Sequence, residues 1–392
     1  MLGLLYGPVR RLKEPAGPTP PTGRSAEKAG GPKPPAGSYT ILRIILVPSS
    51  LLMLRCKILL FLVLFGALPG TRAQGPAAGR TFTNPLKVNG PDPWVVRQGG
   101  YYYYTNTMGE NLTLWKSKTL KGIKDAPGAV VWPPPAAGPN SYEIWAPELH
   151  FLGGKWYLYY TATDKANFSD QTRYVFVLEN AGPDPTAGTW MDKGKINTRY
   201  LGLDGSVFEH QGRRYFLYSA YVGPQSVLAI APMANPWTLD ATQETIIARP
   251  TYAWEKGGSR QILEGPEFLA GSKGQLFVVY SASACWDDNY CLGMLTARPG
   301  ADPLRAGSWT KAAQPVFHRS AENGVWGTGH NGFTASSDGR ESWIICHAKA
   351  AADGKCEGRS ARAQRFDWNP DGTPNFGAPA ALATPQAVPS GE

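Results

Sequence analysis

Histidine and cysteine are scarce in this sequence, with five of each among 392 residues. No CxxC pair or similar spacing occurs, which excludes the zinc modules that depend on such spacing. Cys56 lies in a leader segment, and the four cysteines that remain are an even number, typical of an oxidising compartment. Closeness in sequence predicts the disulfides Cys285–Cys291 and Cys346–Cys356, although four cysteines allow three pairings.

No hydrophobic run is long enough to cross a membrane. The run from Ile58 to Leu68 is about half of the ~20 residues that a spanning helix needs. Arg55 and Lys57 precede this run and Thr71-Arg-Ala73 follows it, as in a secretory signal peptide. We therefore predict a signal peptide at 53–73 and a secreted protein, extracellular or periplasmic, with no membrane attachment after cleavage. The alternative is a signal anchor or a buried helix.

A basic excess is absent from most of the chain, although the net charge is +9. Residues 1–73 carry ten Lys/Arg and two Asp/Glu, a net +8, and the remainder carries 29 and 28, a net +1. This distribution excludes an electrostatic surface for nucleic acid in the folded part. Residues 1–52, rich in proline, glycine and basic residues, are interpreted as a disordered extension or an over-long start of the reading frame.

Amphipathic runs of helical length are also missing after the leader. Short strand patterns separated by Gly, Pro, Asn and Asp turns continue from Thr81 to about Pro379. No change in composition divides this region, so we predict one domain at 81–379 after a linker at 74–80, and we expect a monomer. An Ala/Pro-rich tail at 380–392 is expected to fray.

One strand-turn-strand unit occurs five times in this region. The units align on Tyr104, Tyr160, Tyr218, Tyr280 and Cys346, in steps of 56, 58, 62 and 66 residues. A repeat of this length with strand content is typical of a propeller. Aromatic and β-branched residues suit its half-buried sheets. The sequence therefore predicts an all-β fold, a five-bladed β-propeller with four-stranded antiparallel blades.

The opening position of each repeat carries the chemically active residues. Asp92, Asp204, Glu264 and His330 stand there, and Trp145-Ala-Pro-Glu148 takes this place in the second unit. If the opening strands are the innermost ones, their first residues converge on the propeller axis. Three carboxylates and a histidine would then share one pocket. Hydrolysis of a glycosidic bond needs one carboxyl as an acid for the leaving oxygen and another as base or nucleophile.

Six short motifs, in phase with the repeats, resemble one known family. They are Asp92-Pro-Trp, Trp145-Ala-Pro-Glu, Leu203-Asp-Gly-Ser, Leu263-Glu-Gly-Pro, Gly329-His-Asn-Gly-Phe and Gly358-Arg. In this order they resemble glycoside hydrolase family 43, and the resemblance covers about residues 82–376. It implies a five-bladed propeller that hydrolyses arabinosides and xylosides with inversion. The block Glu143-Ile-Trp-Ala-Pro-Glu-Leu-His is most similar to the secreted α-L-arabinofuranosidases of that family.

The resemblance also implies roles for the three carboxylates. Asp92 would be the general base that activates water, Glu264 the general acid, and Asp204 the residue that orients this acid and raises its pKa. Glu267 and Glu148 are rival acids. Glu264 is preferred because it holds the opening place of its unit, as Asp92 and Asp204 do. Each aspartate also has a plain alternative as a turn residue.

Substrate-binding residues are predicted on the same grounds. Trp94 and Trp145 are expected to wall the sugar site, with packing between blades as the alternative. Arg359 matches the Gly-Arg motif, where the resemblance implies a guanidinium that holds a substrate hydroxyl. Arg362 and Arg365 are close enough in sequence to compete for this assignment.

A metal is expected only at His330. The resemblance implies a bound cation near this histidine, often calcium and sometimes held through water, whereas a lone histidine is commonly a core residue. The chemistry itself requires no cofactor. The prediction is therefore one possible structural Ca²⁺ on the propeller axis.

These observations favour an inverting, exo-acting α-L-arabinofuranosidase. Its substrate partner would be arabinan, or arabinose-substituted plant polysaccharide such as arabinoxylan. A β-xylosidase or endo-arabinanase of the same family is the near alternative, because loops decide between a pocket and a groove. A non-catalytic sugar-binding propeller is the alternative from another class, disfavoured because all three carboxylates are present. A retaining fructosidase is disfavoured because its Asn-Asp-Pro-Asn start is absent.

Overall fold

The computed structural model describes residues 80–169, 172–257 and 261–392. The predicted extension, the signal peptide and all of the linker except Arg80 lie outside these ranges. Within the ranges, no helix is long and apolar enough to span a bilayer.

Short strands make up almost all of the regular structure in the described residues. In chain order they are β1 (Thr81–Phe82), β2 (Trp94–Gln98), β3 (Tyr101–Thr105), β4 (Leu112–Ser117), β5 (Gly128–Trp132), β6 (Tyr142–Leu152), β7 (Lys155–Thr163), β8 (Tyr174–Asn180), β9 (Met191–Lys195), β10 (Gly202–His210), β11 (Arg213–Val222), β12 (Gln225–Asn235), β13 (Thr238–Leu239), β14 (Thr245–Ala248), β15 (Gln261–Ala270), β16 (Leu276–Ala282), β17 (Cys291–Ala297), β18 (Thr310–Lys311), β19 (Trp326–Ala335), β20 (Ser342–Lys349), β21 (Ser360–Trp368), β22 (Pro374–Asn375) and β23 (Gln386–Ala387). The helical segments described are 3₁₀ turns at Lys121–Lys124, Lys165–Asn167, Ala241–Gln243, Ala253–Glu255 and Ala306–Ser308.

The strands form five consecutive antiparallel blades, which confirms the predicted all-β propeller. Blade 1 is β2–β5, blade 2 is β6–β9, blade 3 is β10–β12 with β13 and β14, blade 4 is β15–β18, and blade 5 is β19–β22. Blades 3 and 4 also touch through a short parallel pairing of β12 with β15, which joins them into one sheet. In every blade the first strand pairs with the second and the second with the third, as expected when each blade follows the chain.

Each pair of neighbouring blades encloses one hydrophobic core. Five separate clusters of buried side chains each combine residues from two adjacent blades. The alignment residues of the repeat lie on the second strand of their blades and are at most 5% exposed: Tyr104, Tyr160, Tyr218, Tyr280 and Cys346. Truncating one of the four tyrosines to alanine should lower the free energy of unfolding by ~3–5 kcal/mol, the usual loss for a buried aromatic side chain.

In every blade, the innermost strand or the residues just before it include a left-handed residue at one equivalent position. These residues are Asp92, Ala146, Asp204, Gly265 and His330, with φ between 43° and 56°. The N–H of each donates to a side chain of the preceding blade, in the order Asp92 to His347 Nδ1 (3.1 Å), Ala146 to Thr107 Oγ1 (2.7 Å), Asp204 to Thr161 Oγ1 (3.0 Å), Gly265 to Asp204 Oδ2 (2.9 Å) and His330 to Ser281 Oγ (2.7 Å). We call these five hydrogen bonds the axial ring. They fix a conformation that costs a non-glycine residue ~1–3 kcal/mol.

The segment before blade 1 closes the propeller against blade 5. Leu86 N–H donates to Ala361 O (2.8 Å), and Ala361 N–H donates back to Lys87 O (2.9 Å). Gly90 N–H then donates to Arg359 O at 3.0 Å. A Cβ at Gly90 would lie 2.6 Å from the Ala361 Cβ, so only glycine permits this approach. We call this pairing the closing seam, and it ends beside Asp92.

The C-terminal residues are packed on the domain rather than free. β23 pairs with β1 through Phe82 and Gln386, and Glu392 Oε1 accepts the N–H of Leu120 at 2.7 Å. The expectation of a fraying tail came from composition alone. Backbone pairing with the chain start, which composition does not reveal, holds this segment.

The disulfide prediction is wrong, because Cys285 is bonded to Cys356. Their Cα atoms lie 4.9 Å apart, each in a loop that follows the second strand of its blade. Cys291 and Cys346 are strand residues whose side chains are buried, and burial raises the pKa of both thiols to about 12. Cys291 faces Ala282 in the ladder. Sequence closeness failed because the strand register, rather than chain distance, decides which cysteines meet.

Candidate active site

A cavity of about 310 Å³ opens on the propeller axis. It is lined by Asp92, Thr107, Trp145, Arg173, Leu203, Asp204, Tyr221, Ser226, Ile262, Glu264, Cys285, Trp286, His330, Cys356 and Arg359. Six of the seven predicted site residues are among them. The convergence of the repeat openings therefore places residues from all five blades in one site, although they are far apart in sequence.

Asp92 forms one corner of the cavity. Its Oδ1 accepts from Arg359 Nη1 at 2.8 Å and its Oδ2 accepts from the Thr107 hydroxyl at 2.7 Å. His330 Nδ1 and His347 Nδ1 each lie 3.4 Å from Oδ1. The carboxylate is thus held by one cation and one hydroxyl and is flanked by two imidazoles.

Arg359 is the permanent positive charge in this corner. Burial is the largest single effect and raises the pKa of Asp92, but Arg359, and after it His330 and His347, together outweigh burial and hold this pKa well below its ordinary value. Burial also lowers the pKa of His330, and lowers that of His347 to about 3. Both histidines are therefore neutral at neutral pH. His347 Nδ1 accepts the Asp92 N–H and so carries no proton. Asp92 is ionised there.

Glu264 and Asp204 form a second corner. The Tyr290 hydroxyl donates to Glu264 Oε1 at 2.8 Å. Burial raises the pKa of Tyr290 well above its ordinary value, so the phenol keeps its proton. The N–H of Gly265, the residue after Glu264, donates to Asp204 Oδ2. Asp204 is buried, whereas Glu264 is partly exposed to the cavity.

Among the described residues, no cation contributes to the pKa shift of Asp204. Burial first, and then the negative charges of Glu264 and Asp92, raise the pKa of Asp204 well above its ordinary value. Asp204 therefore retains its proton to a higher pH than an ordinary carboxyl would, beside Glu264.

The structure corrects the sequence register of blade 4. The left-handed position of that blade is Gly265, so Glu264 stands one residue before the place that Asp92 and Asp204 hold. Glu264 is therefore equivalent to Trp145 and Leu203, which also line the cavity. Its position in the cavity agrees with the preference for it, but the reason given from the repeat does not.

The rival acids Glu148 and Glu267 are buried and do not line the cavity. Glu148 contacts His150 Nε2 at 2.9 Å, and Glu267 accepts from the Ser206 hydroxyl at 3.1 Å. Burial and then the charge of Glu148 raise the pKa of Glu267 well above its ordinary value. A β-bulge between Glu264 and Glu267 sends the two side chains to different depths.

The two predicted tryptophans differ in position. Trp145 lines the cavity, and the buried guanidinium of Arg173 lies 3.5 Å from its ring centroid and pairs with Glu143. Trp94 does not line the cavity. Its ring packs against His150 at 4.9 Å, and its Nε1 donates to a backbone carbonyl in blade 2. The alternative of packing between blades therefore describes Trp94.

Arg359 is separated from its neighbours by geometry. Its Nη1 reaches Asp92, while Arg362 lies buried in β21 beside Ser360, and Arg365 is exposed and pairs with acidic residues. Arg359 is thus the arginine of the three that lines the cavity.

The described side chains alone do not form a calcium cage around His330. Among the described residues, no group of three or more His, Cys, Asp or Glu side chains is arranged to hold a metal. Calcium takes six to eight oxygen ligands, and the His330 Nδ1 is directed at Asp92. The described side chains do not provide the required oxygen set.

Some site residues were missed from the sequence. His347 directly follows the alignment residue Cys346, as Thr161 follows Tyr160, so the repeat contained a usable signal. Trp286 and Tyr290 lie in the loop between β16 and β17, a connection whose length and sequence differ from blade to blade, so nothing in the repeat points to them. Arg173 directly precedes β8, the third strand of blade 2, and no sequence pattern marks it as a site residue either.

Comparison with known proteins agrees with this geometry. The family model "Glycosyl hydrolases family 43" matches residues 82–374. The extracellular exo-α-(1→5)-L-arabinofuranosidase of Streptomyces avermitilis is 40% identical over 349 residues, covering 84% of this chain and 71% of that protein. α-L-Arabinofuranosidase 43 of Humicola insolens is 37% identical, covering 76% of this chain and 63% of that one.

A solved structure shows the same fold. The crystal structure of an α-L-arabinofuranosidase from Lactobacillus brevis superimposes with a TM-score of 0.73 at 35% identity, covering 77% of this chain and 98% of that one. The chain therefore belongs to glycosyl hydrolase family 43.

Proposed function

We propose that this glycoside hydrolase is an inverting, exo-acting α-L-arabinofuranosidase that releases arabinose from arabinan or arabinose-substituted polysaccharide. One observation carries the proposal: one small cavity contains an ionised carboxylate, Asp92, and a second carboxyl, Asp204 beside Glu264, whose pKa is raised so that it retains its proton. One ionised and one protonated carboxyl in the same cavity can act as the base and the acid on one substrate. The choice of arabinose as the released sugar rests on the relatives, which are named as arabinofuranosidases.

In the proposed mechanism Asp92 accepts a proton from water as that water attacks the anomeric carbon. Arg359 and Thr107 hold the carboxylate in place. Glu264 gives its proton to the leaving oxygen as the glycosidic bond breaks. Asp204, beside Glu264, helps to keep the acid protonated before this step. Exchange with solvent then removes the proton from Asp92 and returns one to Glu264. Because water attacks the face opposite the leaving oxygen, the product has inverted configuration.

The exo mode is supported by the size of the cavity. About 310 Å³ is at the small end of the roughly 300–1,000 Å³ that ligand sites span. A cavity of this size suits the end of a chain better than its middle. An endo-arabinanase would need an open groove through which the polysaccharide continues on both sides.

Product analysis on linear arabinan, branched arabinan and xylan tests the proposal. We expect arabinose alone from the arabinans, and proton NMR should show the inverted β-anomer first. Release of xylose would favour a β-xylosidase, release of oligosaccharides an endo-arabinanase, and no release a sugar-binding propeller. A first product of retained configuration would contradict the mechanism.

Secretion is a separate proposal that rests on the leader sequence and on the extracellular relatives. N-terminal sequencing of the secreted protein should begin at Gln74 or within a few residues of it. A mature protein that keeps Leu54–Leu68 would contradict a cleaved signal peptide.

A further inference from the structure

Trp286 is a large aromatic side chain that lines the cavity and is still 43% exposed. It lies in the loop between β16 and β17, which we call the Trp286 loop (Ser283–Tyr290). Exposed apolar surface at a cavity mouth commonly marks a place where a ligand binds. The packing of the domain does not account for this ring.

The Trp286 loop is fixed at several points. Cys285 is bonded to Cys356 in the loop after β20. Asp288 accepts from Lys349, whose side chain is only 2% exposed, and the Ser283 hydroxyl donates to Asp287. A ring on so constrained a loop is positioned before the ligand arrives, which lowers the entropy cost of binding.

The loop also contacts the proposed acid. Tyr290, four residues after Trp286, donates its hydroxyl to Glu264. A general acid protonates the leaving oxygen, so the sugar attached to that oxygen must lie beside the acid. The contact of Tyr290 with Glu264 therefore joins the Trp286 loop to the leaving-group side of the cavity.

We propose that Trp286, held by the Cys285–Cys356 disulfide, is the platform for the sugar residue on the leaving-group side of the scissile bond. The ligand class is a neutral pentose unit of an oligosaccharide, whose C–H face packs on the indole. This inference rests on the proposed function and adds a residue that determines affinity for the leaving group rather than for the released sugar.

Calorimetric titration of a Glu264→Gln variant tests the platform, because this variant binds substrate without rapid turnover. Arabinobiose occupies both sides of the bond, whereas arabinose occupies one. Adding Trp286→Ala should weaken arabinobiose binding about tenfold, the scale of one lost aromatic contact, and leave arabinose binding unchanged. Trp286→Tyr keeps a ring and should retain most of the affinity. Phe151→Ala removes another exposed aromatic, beside the Gly153–Gly154 turn, and should change neither sugar.

The disulfide has its own test. Cys285→Ser with Cys356→Ser releases the Trp286 loop and should also weaken arabinobiose binding, whereas Cys291→Ser, at a buried thiol of the same blade, should not. Melting temperatures confirm that each variant is folded. Equal arabinobiose affinity in the parent and in Trp286→Ala would overturn the inference.

The outcome is separable from the proposed function. If the wild-type protein releases xylose from xylobiose and no arabinose from arabinobiose, the proposed sugar is wrong. The same titrations with xylobiose and xylose would then still decide the role of Trp286.

Discussion

Two corners of one cavity hold aspartates on equivalent strands, yet the two aspartates differ in charge. Asp92 and Asp204 share a left-handed backbone, and each donates its N–H to the preceding blade. Asp92 has Arg359 at 2.8 Å, whereas the largest charge effect on the pKa of Asp204 comes from Glu264 and is of the opposite sign. The repeat therefore determines where each aspartate lies, and the charged residue next to each carboxyl determines whether that carboxyl is protonated.

This difference shows how a repeated unit can produce unlike catalytic groups. An opposite charge in contact lowers a carboxyl pKa by ~1–3 units, and a like charge raises it. Neither partner belongs to the repeat itself: Arg359 begins the strand region of β21, and Glu264 stands one place before the repeated position. The predictions below change one corner at a time.

The largest effect is expected when the base is removed from the first corner. Asp92→Ala should lose ~10²–10⁴-fold in kcat/KM on arabino-oligosaccharides and on aryl arabinofuranosides alike, because neither substrate replaces water activation. Steady-state kinetics on both substrates, with a melting curve as the folding control, measures this. Full activity of the variant would rule out Asp92 as the base.

Removal of the acid from the second corner should have an effect that depends on the substrate. Glu264→Ala should lose ~10²–10⁴-fold on natural glycosides, but about tenfold or less on an aryl glycoside whose leaving group needs no proton. Glu267→Gln, at the buried rival, is the matched control and should not separate the two substrates. If it does and Glu264→Ala does not, the acid is misassigned.

Loss of the cation should make the first corner resemble the second. In Arg359→Met the pKa of Asp92 should rise, because the largest of the interactions that oppose burial is lost and only His330 and His347 still lower this pKa. The base works only when ionised, so the acidic limb of kcat/KM should move to higher pH by ~1–2 units. Arg365→Met on the same strand should leave the limb in place. An unshifted limb in Arg359→Met would show that another group sets it.

A neutral residue at Asp204 should move the opposite limb. Asp204→Asn removes the like charge and the shared proton, so Glu264 should lose its proton at lower pH. The alkaline limb of kcat should then fall by about one unit, with less change in KM. A pH–rate profile of both parameters measures this. A change in KM alone would mean that Asp204 serves binding rather than protonation.

The smallest effect is expected from chelation. Because the side chains around His330 lack the oxygen ligands that calcium requires, dialysis against a chelator should change kcat by less than about twofold and leave both pH limbs in place. Elemental analysis of the dialysed protein is the companion measurement. One retained equivalent of calcium, with a loss of rate on its removal, would restore the cation expected near His330.

Much of the fold could be predicted from the sequence because the repeated residues are the ones that pack in the core of each blade. The alignment residues predicted the second strand of each blade, and all five are buried there. The convergence of Asp92, Asp204, Glu264 and His330 needed only the assumption that opening strands lie innermost.

The remaining features depend on local backbone events that composition does not encode. Glu264 stands one residue before the left-handed position of its blade, and a β-bulge separates it from Glu267. Strand register buried Cys291 and Cys346 and left Cys285 to meet Cys356. Trp94 was expected at the sugar site because aromatic rings stack on sugar faces, but its ring packs between blades 1 and 2 against His150.

The closing seam makes turnover depend on the integrity of the whole ring. Its last hydrogen bond joins Gly90 to Arg359, and the ion pair of Arg359 with Asp92 follows directly, across 267 residues of chain. Contacts so distant in sequence carry the largest loop-closure cost and form late in folding. A partial separation of blades 1 and 5 would part the base from its counter-ion while the other blades kept their sheets. The enzymatic rate therefore reports whether blades 1 and 5 are still joined. On warming, the rate should decline before the circular-dichroism signal of the strands does.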